Sequence, residues 1–193
     1  VYKFSRRGKL LLTLGEPDKP GTGTGQFDKP TDIGFGPRGE IYISDGYGNS
    51  RGMKFDSKGK YLSQWGKPGK GQGEFDTPHA ILVDRKGRVV VGDRENDRVQ
   101  VFDQEGAHLA TWPSKLIGPA VIYVDDDDIV YVAEHNGGLV SILTLEGEML
   151  TQWGSLTHRS CHGIWVDSHK DIYVVEPFEG STGRTVVKFV HKN

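Results

Sequence analysis

Apolar and polar positions alternate along this chain in short runs of four to six residues, and turn-forming residues interrupt them regularly. Ile41-Tyr-Ile-Ser, Val89-Val-Val, Val99-Gln-Val-Phe102 and Val130-Tyr-Val-Ala are such runs. They are rich in β-branched and aromatic residues and bounded by turns such as Lys58-Gly59, Lys86-Gly87 and Glu146-Gly147, which predicts antiparallel strands joined by tight hairpins. No segment keeps a helical period over three turns, so the expected class is all-β.

The runs repeat. The first full copy is Pro30-Thr-Asp-Ile-Gly-Phe, Gly39-Glu-Ile-Tyr-Ile-Ser-Asp45, Asn49-Ser-Arg-Gly-Met-Lys-Phe-Asp56 and Gly59-Lys-Tyr-Leu-Ser-Gln-Trp-Gly66. Copies follow over 78–112 and 118–154, and an incomplete one over 161–193. An acidic residue closes the second run of each, at Asp45, Asp93, Glu134 and Glu176, with spacings of 48, 41 and 42 (93−45, 134−93, 176−134). Four strands every 40–45 residues is the period of a propeller blade. The prediction is therefore a single β-propeller domain over 1–193, of four-stranded blades that resemble NHL repeats. Residues 1–15 match only the last two strands of a blade, and the last copy lacks its outermost strand. These ragged ends predict a larger ring only partly contained in this chain, in preference to four blades closing on themselves.

Composition narrows the partners. Of 193 residues, 24 are basic and 26 acidic, mixed along the chain for a net charge of −2, so no nucleic-acid footprint is expected. No apolar run approaches the roughly 20 residues of a membrane span, and no membrane partner is expected. The single cysteine, Cys161, excludes a disulfide framework within these residues. The chain opens at Val1 directly in strand-like sequence, without a leader, so the compartment stays open.

In a blade the first strand lines the central channel, and its start lies beside the end of the antiparallel second strand. Residues at those two places converge on one channel mouth. The starts of the first strands carry Thr31, His79, Pro119 and His162. Histidine in every second copy predicts, in a six-bladed ring, a third histidine from the blade before the first copy. Three imidazoles around an axis with one open position suit a catalytic Zn²⁺. The competing explanation is recurrence by repeat ancestry, with ordinary hydrogen bonds. At the ends of the second strands lie Tyr47, Arg94, His135 and Pro177, beside the closing acids. A phenol there can act as base or hydrogen-bond donor, and an arginine can clamp a carboxylate. Alternatively the acids brace turns and Arg94 pairs with a neighbouring blade. His135 faces the same mouth and is an outside candidate.

The strings Asp45-Gly-Tyr-Gly-Asn-Ser-Arg51, Pro78-His79 and Asp93-Arg-Glu-Asn-Asp-Arg98 resemble peptidyl-α-hydroxyglycine α-amidating lyase, whose stretches read DGYCNSR, PH and DRENGR. The resemblance implies a six-bladed propeller that cleaves a C-terminal α-hydroxyglycine into a peptide amide and glyoxylate. It implies Zn²⁺ held by three histidines, two of them His79 and His162, with an ionised Tyr47 as the catalytic tyrosine and Arg94 in the active site. The family's cysteine after the tyrosine is Gly48 here and its partner position is Asp28, so that disulfide is not expected. An aspartate that helps bind structural Ca²⁺ in the family is Gly163 here, which argues against that ion. Cys161, next to His162, is a further thiol able to compete for a metal.

Two functional expectations follow. One is a zinc-dependent lyase acting on a small molecule or a peptide C-terminus. The other is a non-catalytic propeller that binds a protein or ligand on its rim. A lactonase-like hydrolase fits less well, because it wants carboxylates and Asn around its ion. Gly21-Thr-Gly-Thr-Gly25 and Gly69-Lys-Gly-Gln-Gly73 lead into strands, not helices, and read as blade connectors and not phosphate loops. Asp125–Asp128 reads as a solvated hairpin tip, and Trp65, Trp112 and Trp153 as packing between blades. His108, His158, His169 and His191 fall in turns or outer positions.

Overall fold

A computed structural model describes residues 1–154, 161–175 and 186–192. His158, Glu176 and Pro177 lie outside the described residues. The fold is all-β, and among those residues only a single 3-10 turn, Arg94–Asn96, is helical.

The strands form successive antiparallel sheets. β1 (Tyr2–Phe4) pairs with β2 (Leu10–Thr13). The next sheet runs β3 (Asp32–Phe35), β4 (Ile41–Asp45), β5 (Arg51–Phe55) and β6 (Tyr61–Trp65). β7 (Pro78–Val83), β8 (Val89–Asp93), β9 (Arg98–Phe102) and β10 (His108–Thr111) make the third. The fourth is β11 (Pro119–Val124), β12 (Val130–Glu134), β13 (Leu139–Leu143) and β14 (Met149–Gly154). β15 (Gly163–Val166), β16 (Ile172–Val175) and β17 (Val186–Phe189) complete the described set. Every sheet runs in sequence order, which is the meander of a propeller blade.

Alternation along the strands builds the core between blades, not inside one. Ile41, Ile43, Met53 and Phe55 pack with Leu14 and Phe27 against β2. Tyr42, on the opposite face of β4, joins Phe75, Ile81, Val89, Val91 and Phe102 at the next interface. Val90, Val99, Val101 and Trp112 then meet Ile122, Val130, Val132 and Leu143. Tyr131, Ala133 and Val140 meet Ile164, Val166 and Val174. A period of two on a sheet covered on both sides therefore gives each interface its own cluster, and β4, β8 and β12 are buried end to end. Each fully buried Val, Ile or Phe contributes about 1.5–3 kcal/mol relative to an exposed one.

Trp65 and Trp112 pack between blades as expected, whereas Trp165, expected to pack as well, is exposed. Trp65 lies against Gly106 and Trp112 against Gly147, both positive-φ glycines in the following blade's hairpin, where a Cβ would sit 2.8 and 2.1 Å from the indole. The acidic tip is solvated at Asp126 and Asp127 as expected, and Asp125 is the correction. Asp125 is buried and accepts hydrogen bonds from the Asp127 and Ile129 amides, the Tyr131 hydroxyl and Lys170 of the next blade. Its charge is matched across an interface instead of being left to solvent.

Candidate active site at the channel mouth

The closing acids fix the chain around the mouth. Asp45, Asp93 and Glu134 are fully buried, and each accepts the backbone N–H of the residue 17 positions earlier: Asp28, Asp76 and Ile117. Each therefore ties the end of a second strand to the segment leading into the first. Two of them also bind an arginine, Arg51 Nε at 3.0 Å and Arg98 Nε at 2.8 Å. The glycine-rich connectors wrap those guanidinium groups. Arg51 donates to the carbonyls of Thr22 and Gln26, and Arg98 to those of Lys70, Gly71 and Glu74. Carbonyls turned inward recognise a cation, so these loops are blade connectors closed on arginine. The blade of β11–β14 has Leu139 at that place, and Ser141 and Gln152 satisfy Glu134 instead.

Within this frame four side chains singled out from the sequence come together. The β7–β8 pairing slips between Pro78 and Ala80, which makes His79 the bulged residue. A bulge re-aims a side chain, and here it delivers the imidazole to the mouth, 5% exposed. His79 Nδ1 lies 2.8 Å from the Ala120 carbonyl, which only accepts, so Nδ1 carries the proton and the Nε2 lone pair faces the mouth. Tyr47 donates its hydroxyl to that Nε2 at 2.9 Å, and Arg94 Nη1 donates to the Tyr47 oxygen at 3.2 Å. Gly46 lets Tyr47 reach this place, since a Cβ there would lie 2.1 Å from the Pro78 carbonyl oxygen. The His162 ring lies edge-to-face with His79 at 4.9 Å between centroids. His135 meets His162 in the same way at 5.3 Å.

Burial favours the uncharged form of two of these imidazoles, His79 and His135. Burial lowers the His79 pKa to about 4, helped by the charge of Arg94, although the Ala120 hydrogen bond opposes the shift. Burial, then Arg94, also lowers that of His135. Arg94 pairs through Nε with Glu95 at 2.7 Å, and the other Glu95 oxygen accepts from Asn136 of the next blade at 3.4 Å. Glu95 and Asn136 were not singled out from the sequence, and only the Arg-Glu-Asn string beside Asp93 hinted at the first. Arg94 does contact a neighbouring blade, but through Tyr47, a group at the mouth.

The donor set suits a transition metal in part. Two imidazoles stand side by side, and the backbone bond at His79 Nδ1 leaves the other nitrogen as donor, the arrangement common at metal-ligating histidines. Among the described residues no group of three or more His, Cys, Asp or Glu is arranged to hold a metal ion. Positions 28 and 48, paired as a disulfide in the resembled family, are adjacent: Gly48 N donates to Asp28 O at 2.9 Å. Among the described residues no helix is long and apolar enough to cross a membrane.

Comparisons with known proteins agree with this fold. A probable peptidyl-alpha-hydroxyglycine alpha-amidating lyase of Caenorhabditis elegans is 41% identical over 106 residues, 53% of this chain and 30% of the relative. Peptidyl-alpha-hydroxyglycine alpha-amidating lyase 2 of Drosophila melanogaster is 40% identical over 206 residues, covering 98% of this chain and 50% of its own. NHL repeat-containing protein 3 of Mus musculus is 38% identical over 151 residues, 74% of this chain and 44% of its own. The chain thus spans half or less of each of these relatives. The streptogramin B lyase structure superimposes with a TM-score of 0.68 at 19% identity over all of this chain and 62% of that one, a likeness of fold alone. The model of a family described as 6-bladed beta-propeller matches residues 27–134, more than half of the sequence. This chain belongs to the six-bladed β-propeller family and carries NHL-type blades similar to those of the amidating lyases.

Proposed function

We propose that this propeller is a zinc-dependent lyase of the amidating type, which cleaves a carbinolamine C–N bond to a peptide amide and glyoxylate. The observation that carries the reading is the Tyr47 hydroxyl held between His79 Nε2 and Arg94 Nη1, beside His162. His79, through the Nε2 that the Tyr47 hydroxyl occupies here, and His162 would be the zinc ligands contributed by this chain, and Tyr47 would give up that hydrogen bond to the ion. A bound Zn²⁺ supplies Lewis-acid polarisation of the substrate hydroxyl. Arg94 holds the substrate carboxylate, while its contact with Tyr47 orients the phenol. Tyr47 serves as the base for the hydroxyl proton. The C=O of glyoxylate forms as the C–N bond breaks, and the departing amide nitrogen takes up a proton. The substrate in this reading is a small molecule or a peptide C-terminus ending in α-hydroxyglycine.

A second reading is a non-catalytic propeller with a protein partner on its rim, and one relative, NHL repeat-containing protein 3, is named for its repeats alone. Glyoxylate release from an α-hydroxyglycine peptide separates the two. Under the lyase reading the protein with zinc releases glyoxylate, and Tyr47→Phe lowers kcat by about 10²–10⁴-fold. No release with zinc bound would leave the scaffold reading in place.

A further inference from the structure

We infer that Glu95 is the positioning residue of Arg94: its carboxylate, braced by Asn136 of the next blade, takes Arg94 Nε and leaves Nη2 free to hold a substrate carboxylate. The inference rests on the lyase reading above and extends it to a residue that need not touch the substrate. Arg94 and Glu95 open the 3-10 turn Arg94–Asn96, and that turn is fixed on both sides. Arg94 N donates to Thr77 O at 3.2 Å and Glu95 N to Asp76 O at 3.1 Å. Asn96 Nδ2 donates to Gly69 O and to Asp93 Oδ2, both at 2.9 Å. Asp97, just after the turn, accepts from Gly118 N of the next blade at 2.7 Å.

A fixed backbone does not by itself place the guanidinium. Arg94 has a long side chain with five N–H donors, and rotation about its outer bonds could carry the charge away from the mouth. Two of its donors are committed: Nε to Glu95 Oε1 at 2.7 Å and Nη1 to the Tyr47 oxygen at 3.2 Å. Among the described residues no hydrogen bond reaches Nη2. Nη2 and the second N–H of Nη1 therefore remain for a carboxylate. The other Glu95 oxygen accepts from Asn136 Nδ2 at 3.4 Å, so the brace is held from the blade beyond. The Glu95 side chain is 37% exposed, and so open an ion pair contributes little to folding. Its consequence is where the Arg94 side chain, itself buried, stands.

The test is a glyoxylate titration of the chain followed by NMR of the arginine Nε–H signals, with kcat and KM measured on an α-hydroxyglycine peptide. Loss of one signal in Arg94→Lys identifies that of Arg94. In the unaltered chain this signal should exchange slowly with water, and glyoxylate should shift it. Glu95→Ala should abolish the slow exchange, weaken glyoxylate binding by about tenfold and raise KM by a similar factor, with the far-UV circular dichroism retained. Glu95→Gln keeps an oxygen for Nε and should recover most of both losses. Unchanged glyoxylate affinity and exchange in Glu95→Ala would overturn the inference and leave the lyase reading standing, as would an unaltered chain that glyoxylate does not affect. No glyoxylate release by the zinc-loaded unaltered chain would overturn the lyase reading, and the titration would still decide the role of Glu95. Should Glu95→Ala unfold, the Arg94 signal of the unaltered chain decides: slow exchange supports the assignment and rapid exchange refutes it.

Discussion

Individual residues here act mostly by what they prevent or anchor. Gly46 has no substitute of its own size, because any Cβ meets the Pro78 carbonyl oxygen at 2.1 Å and backbone cannot yield as a side chain does. Gly46→Ala should lower stability by about 1–3 kcal/mol in urea denaturation and shift Tyr47 away from His79. Asp45 makes a stronger case. It is fully buried and binds the Asp28 amide, Asn49 and Arg51, the last also buried. Asp45→Ala leaves the Arg51 charge without its counter-ion and should cost about 3–5 kcal/mol, read from the same denaturation curves. A substitution at exposed Lys3 or Lys9 should change them by under about 0.5 kcal/mol.

Hairpin tips carry a second set of ties between blades, made of ion pairs. The tip between β7 and β8 sends Lys86 and Arg88 to Glu146 on the tip between β13 and β14, and Arg85 to Asp126. Hydrogen bonds from Arg88 and Lys86 lower the Glu146 pKa from its ordinary 4.5 to about 2. A carboxylate with its folded pKa depressed contributes stability that is present above pH 4.5 and is lost as pH falls through about 2. Thermal melts between pH 5 and pH 2 should therefore show a smaller pH dependence for Glu146→Gln than for the unaltered chain. Because Glu146 is exposed, added salt should shrink that difference as well. The Asp125 tip shows what an isolated element conceals: its main partner, Lys170, lies 45 residues further on.

The whole molecule is a series of blade interfaces, each with a separate apolar cluster, so damage should stay local. Phe102 is fully buried in the cluster between the blades of β3–β6 and β7–β10. Phe102→Ala should cost about 3–5 kcal/mol. In amide hydrogen exchange the loss of protection should concentrate in those two blades and spare β15–β17. Uniform loss across all sheets would show that the interfaces unfold as one unit.

Much of the fold was legible in the chain because its signals are local and periodic. The β-branched alternation, the hairpin glycines and the acid at Asp45, Asp93 and Glu134 recur at fixed spacings, and each acts within one blade. Four of the mouth residues, Tyr47, His79, Arg94 and His162, were also legible, because a position in the repeat maps to a position around the ring. The sequence alone thus determined the architecture and the end of it that carries the side chains. Tertiary structure decided the rest: the bulge that turns His79 inward, the Ala120 carbonyl that sets its tautomer, the Glu95–Asn136 bridge and the closeness of His135 to His162. Those depend on how far one blade is rotated and shifted against the next, and side-chain packing across the interface sets that relation.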